Sequence, residues 1–161
     1  MRPSSTHPLH DPFASELASL ENALAQLFDA QETIALEPKH LSGITPESLM
    51  ESMLFPRAAL QLFAFSYPIN RYYLAVMDEE TPSPPAPETT FLAVFRHEDV
   101  MWRMDLGKNE YHLLQKLFAG VPIGKALESL QQALALPEND LSAQLSEWFS
   151  RWMRNGLLAW H

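Results

Sequence analysis

Cysteine is absent from the 161 residues, which excludes disulfides, thiolate catalysis and cysteine-ligated metal or iron–sulfur centres. Long apolar runs are missing too. Although 47 % of the residues are hydrophobic, no stretch approaches the roughly 18–20 apolar residues that a membrane-spanning helix needs. Residues 1–10 hold no basic segment followed by an apolar one, so the expectation is a chain that is not exported and resides in the cytoplasm. The G-x-G-x-x-G, P-loop and G-x-S-x-G signatures do not occur. The histidines His7, His10, His40, His97, His112 and His161 include no pair four residues apart with a carboxylate in metalloprotease spacing. The sequence therefore offers no catalytic residue and no metal ligand set.

Positive charge is scarce as well. The formal net charge is −9 and unevenly spread: residues 1–88 hold four Lys or Arg against twelve Asp or Glu, and residues 89–161 hold seven against eight. A DNA reader gains most of its affinity by neutralising phosphates with Lys and Arg, so this balance argues against a nucleic-acid partner.

What is present is organised around residues 89–161. Residues 91–96 and 100–106 are rich in aromatic and branched side chains, and His97-Glu98-Asp99 between them reads as a tight turn, predicting a hairpin. Three amphipathic segments follow. Leu113, Leu114, Leu117 and Phe118 line one; Ile123, Ala126, Leu127, Leu130 and Leu134 a second; Leu141, Leu145, Trp148, Phe149 and Trp152 a third. Gly107 or Asn109 is placed to cap the first helix and Gly120 to end it, while Pro122 opens the second and Pro137 follows it. Asn139 or Asp140 is placed to cap the third, and Gly156 to stop it. Strand, strand, helix, helix, helix in this order is a small winged helix-turn-helix.

Upstream, residues 1–11 read as a poorly ordered arm. A helix opened by Asp11 or Pro12 carries Phe13, Leu17, Leu20, Leu24, Leu27 and Phe28 at steps of three and four. Residues 31–43 read as a connecting loop with Ile34 and Leu36 tucked onto the surface. Thr45-Pro46-Glu47-Ser48 starts a short helix through Met53. Residues 59–67 fit helix or strand by composition, and the alternation of Phe63, Phe65 and Tyr67 with smaller residues favours a strand. Paired with the hairpin, that strand makes a small three-stranded antiparallel sheet. Residues 69–77 read as a helix, and residues 78–88, with Pro82, Pro84, Pro85 and Pro87, as an extended acidic linker. The expected fold class is α+β: an N-terminal helical and strand region over 12–77, the linker, and the winged helix-turn-helix over 89–161.

Trp148, Phe149 and Trp152 are core candidates, since a small three-helix unit needs large side chains to close. Their apolar arc is wider than one contact requires, which leaves open that one of them lines a groove. Arg151 and Arg154 read either as a solvated helix end or as partners for an acidic ligand. Glu98-Asp99 reads as turn chemistry.

From Phe91 onward the pattern resembles the PqqD-type recognition element, a winged helix-turn-helix that binds leaders of ribosomally made, post-translationally modified peptides. The resemblance rests on Met104-Asp105-Leu106 before a helix with Leu113-Leu114, on Gly120-Val121-Pro122-Ile123, and on Trp152-Met153-Arg154-Asn155-Gly156-Leu157-Leu158. The upstream order also fits a family: a helix with Leu20-Glu21-Asn22-Ala23, the loop with Leu36, residues 56–68, then the linker and Phe95-Arg96. Over residues 13–160 this resembles the partner subunits of multinuclear non-haem iron oxidative enzymes. The chain looks like the short partners of the methanobactin and thiaglutamate types, without the N-terminal helical domain, and departs from the pattern at Asn22, where an aromatic residue is usual.

The resemblance implies a non-catalytic subunit without a cofactor of its own, which captures a precursor leader and presents it to an iron enzyme. The leader would add as a strand beside Val100, Met101, Trp102, Arg103 and Met104 and rest on Leu145, Trp148 and Trp152. The acidic first half is the expected enzyme-docking surface, through Glu16 and Glu21 on the first helix and Phe63, Phe65, Tyr72 and Tyr73 in the aromatic-rich stretch. The alternative is a winged-helix DNA-binding regulator, for which Lys125, Glu128, Gln131 and Gln132 supply little positive charge.

Overall fold

The computed structural model describes residues 11–135 and 138–160. The chain runs α1 (Pro12–Phe28), a 3₁₀ turn (Pro38–Leu41), α2 (Pro46–Glu51), β1 (Phe55–Pro56), β2 (Leu60–Phe65) and α3 (Ile69–Met77). After residues 78–88 come β3 (Thr90–His97), β4 (Val100–Leu106), α4 (Lys108–Phe118), α5 (Ile123–Leu134), α6 (Glu138–Arg154) and β5 (Leu158–Ala159). The fold is α+β, with a three-stranded antiparallel sheet ordered β2-β3-β4.

The central strand is apolar on both faces. Leu92, Ala93, Val94 and Phe95 are each no more than 2 % exposed. Leu92 and Val94 join Phe13, Leu20, Ala23, Leu27, Phe65 and Ile69 in a core with α1 and α3. Ala93 and Phe95 turn to the opposite face, against Leu113, Leu114, Ile123, Leu130 and Trp152. A strand buried on both sides reads as a continuous apolar run rather than an alternation, which is how residues 91–95 read.

Local signals set the boundaries. Asp11 accepts a hydrogen bond from Phe13 N at 3.1 Å and Pro12 occupies the first helical turn, so α1 starts where its cap places it. Thr45 caps α2 by accepting from Ser48 N at 3.2 Å, although the helix ends at Glu51 rather than reaching Met53. The β3–β4 turn is only Glu98-Asp99, both at positive φ (50° and 60°), and His97 lies in β3, paired with Val100. Glycine at φ 83° ends α4 at Gly120, and Pro122 is the residue before α5 rather than in its first turn.

Several readings need correction. Ile34 is exposed and only Leu36 is buried, in the core with α4 to α6, and the backbone here is not a free loop but pairs with residues 158–160. Leu36 N donates to Leu158 O and Trp160 N to Ile34 O, while Arg57 N donates to Leu157 O. Strand β5 thus lies between residues 34–36 and β1, a pairing no periodicity announces in two-residue strands. Phe28 is exposed at the end of α1. Helix α6 already begins at Glu138, so Asn139 and Asp140 lie inside it rather than capping it. The arm over residues 1–10 and Pro137 lie outside the described residues.

Gly156, at φ 65°, closes the contact between the end of α6 and the hairpin: a Cβ there would stand 2.6 Å from His97 Nδ1 and 3.2 Å from Arg57 Nη1. Gly43 has φ 85° but open space around an added carbon. In urea denaturation, Gly43→Ala is expected to cost about 1 kcal/mol of backbone strain, and Gly156→Ala clearly more, because strain and collision add.

Candidate functional site

The sheet has two edges, and β4 is the one with exposed apolar side chains: Val100 is 51 % and Trp102 48 % exposed, whereas no large apolar residue of β2 is exposed. In an antiparallel ladder closed by a two-residue turn, the bonded pairs alternate from the turn outward, here at His97/Val100, Phe95/Trp102, Ala93/Met104 and Phe91/Leu106. The next residues of β3 bond to the other side. Arg96 N donates to Ala59 O at 2.9 Å, which confirms the phase. Met101, Arg103 and Asp105 therefore turn their N–H and C=O groups away from the sheet.

Edge strands are normally blunted by charges, proline or bulges. Here the register is unbroken, and both charged side chains of β4 are drawn off to α3. Arg103 lies over the Tyr73 ring at 4.8 Å and its Nε donates to Asn70 Oδ1 at 3.2 Å. Asn70 Nδ2 in turn donates to Asp105 Oδ1 and Oδ2 at 3.1 and 3.2 Å. One buried asparagine thus binds both the cation and the anion of β4. Met101 packs on the α1/α3 core, and Met104 on the opposite core. Beyond the strand's end opens a cavity of about 430 Å³, lined by Asn70, Arg71, Glu88, Phe91, Asp105 and Lys108.

The structure does not bring the helical half of the expected peptide site to this edge. Trp152 is 0 % and Trp148 8 % exposed, so both are core side chains, stacked at 6.5 Å. Leu145 is partly buried and lines a cavity with α2 and α5 that contains no β4 residue. The wide apolar arc of α6 is explained by two packing neighbours: α4 and the sheet on one side, α2 and α5 on the other.

What holds Trp152 is a residue the sequence did not single out. Glu110, 1 % exposed, accepts from Trp152 Nε1 at 2.7 Å, from Gly107 N at 3.3 Å, and from Arg151 in an ion pair. Arg151 is thereby committed inside the protein rather than to a ligand, while Arg154 is exposed. First-turn position was the only sequence signal for Glu110; its partners lie 41 and 42 residues away. Burial also raises the pKa of its neighbour Tyr111, which packs on Phe91 at 4.8 Å.

The residues expected to dock an enzyme are largely spent on packing. Glu16 accepts from Ser66 N at 2.8 Å and from Tyr67 N at 3.2 Å, fastening α1 to the end of β2. Phe65 is buried; Phe63, Tyr72 and Tyr73 are partly buried around the α1/α3 core, with Tyr72 edge-on to Phe13 at 4.8 Å. Only Glu21 is exposed.

A second polar cluster sits at the turn end of the sheet. Glu32 pairs with buried Arg57 at 2.7 Å and with Arg96 at 3.1 Å, and Arg57 Nη1 lies 3.3 Å from His97 Nδ1. Among the described residues, no three His, Asp or Glu side chains converge as metal ligands, and no helix is long and apolar enough to cross a membrane. Comparison with known protein families, curated proteins and solved structures finds no match for the chain.

Glu110→Ala leaves Trp152 Nε1 without an acceptor and Arg151 without its counter-charge, and is expected to cost on the order of 3 kcal/mol in urea denaturation. Glu110→Gln keeps an acceptor for the indole and should recover part of that loss.

Proposed function

We propose that this chain is a non-catalytic accessory subunit that captures the leader of a ribosomally made precursor peptide and presents it to an iron-dependent oxidative enzyme. The observation that carries the reading is the unprotected edge of β4. It offers three outward backbone units, at Met101, Arg103 and Asp105, and two exposed apolar side chains, Val100 and Trp102. An extended peptide added there gains affinity from main-chain hydrogen bonds and selectivity from side chains against Trp102 on one face and Met101 on the other. The family resemblance of residues 13–160 supports the same reading. In it, the iron and the oxidative chemistry belong to the partner, and this chain contributes binding and orientation.

Affinity capture of the tagged chain from its native cell extract, followed by intact-mass and iron analysis, tests this. Recovery of a small peptide together with an iron-loaded protein is expected; recovery of the chain alone, or with nucleic acid, would overturn the reading. Within the site, Trp102→Lys should weaken binding of the recovered peptide about tenfold or more. Met101→Pro removes an outward N–H without removing a sheet bond, and should do the same while circular dichroism stays that of the wild type.

A further inference from the structure

Five of the chain's exposed large apolar residues, Ile44, Met50, Met53, Phe55 and Trp160, line two neighbouring cavities to which β4 contributes no residue. Met53 is 50 % and Trp160 40 % exposed. Beneath them lie two cavities, of about 280 and 120 Å³, with a shared wall of Leu36, Leu41, Leu49 and Leu54. The larger is enclosed almost entirely by carbon, from α2, α5 and α6. Its roof is thin. Helix α2 buries none of its own side chains, and it is held by a bond from Ile123 N to Ser52 O at 3.0 Å and by the approach of Met50 to Gly124. A Cβ at position 124 would lie 3.2 Å from Met50 O, so glycine lets α2 close onto α5.

Residues 33–56, which supply much of the cavity lining, carry exposed Glu37, Glu47 and Glu51 against one Lys or Arg, Lys39; since Lys39 pairs with Glu37 at 2.8 Å, the excess falls on Glu47 and Glu51 of α2. That hydrogen bond holds the Glu37 carboxyl below its usual pKa, so it stays charged. His40 stacks on Trp160 at 4.6 Å and fixes its ring. An apolar patch with cavities beneath it and acidic residues on α2 fits a protein surface that presents apolar side chains among Lys and Arg. We infer that this α2/β1/β5 face docks such a basic, apolar-centred protein surface; resting on the accessory-subunit reading, that surface belongs to the enzyme. The peptide edge and the enzyme face are then separate, and both can be occupied at once.

The test compares wild type, M53E/W160E, E47K/E51K and V100K/W102K in the same capture, with thermal melts to verify folding. The double Glu variant and the charge-reversed variant should each lower recovery of the iron-loaded protein about tenfold or more while retaining the peptide. V100K/W102K should lose the peptide and keep the protein. Enzyme recovery unchanged by both M53E/W160E and E47K/E51K overturns the inference and leaves the accessory-subunit reading intact. If the wild type recovers no iron-loaded protein, that reading fails first. A wild-type dimer in sedimentation that M53E/W160E dissolves would assign the face to a second copy of the chain instead.

Discussion

Burying β3 on both faces is the constraint on which the rest depends. A strand with Leu92 and Val94 on one side and Ala93 and Phe95 on the other needs a helical layer over each face. Helices α1 and α3 supply one layer and α4 to α6 the other, so neither half of the sequence closes a core alone. The same strand bonds to β2 through Arg96 and its alternate neighbours, and to β4 through the residues between them. That phase decides which backbone groups of β4 face outward. A one-residue slip would turn Trp102 toward α3 and Arg103 into the α4–α6 core.

Electrostatics then separates what is internal from what is offered. The chain is strongly acidic, yet its structurally important carboxylates are matched: Glu110 to Arg151 and Trp152, Glu32 to Arg57 and Arg96, Asp105 to Asn70. Asn70 has a further consequence. It hydrogen-bonds both Arg103 and Asp105, tying the two charged side chains of β4 to α3. Within residues 33–56 the excess negative charge falls on Glu47 and Glu51 of α2, since Glu37 is paired with Lys39.

Much of this was legible in the sequence. The α+β class, the hairpin, helices α1 and α3, and the assignment of residues 60–65 to the sheet follow from apolar spacing and from caps such as Asp11 and Thr45, because those signals are local. The β1–β5 pairing was not, since two-residue strands carry no period. Nor was the fate of the α6 tryptophans: spacing places Trp148 and Trp152 on one face, but only the position of Glu110 shows that this face turns inward. The packing roles of the residues expected to dock an enzyme were not legible for the same reason. Glu16, Phe65 and Tyr72 look like an acidic, aromatic surface in sequence, and the fold uses them to seat α1 and α3 on the sheet.

The central claim is that β4 is a receptor for an extended peptide, and amide hydrogen exchange tests it most directly. The chain would be measured by NMR alone and with the peptide recovered alongside it. The account predicts that the amides of Met101, Arg103 and Asp105 exchange readily in the free chain and become protected together on binding, while those of Trp102 and Met104 are protected in both states. Peptide binding that leaves the three outward amides unprotected would contradict it.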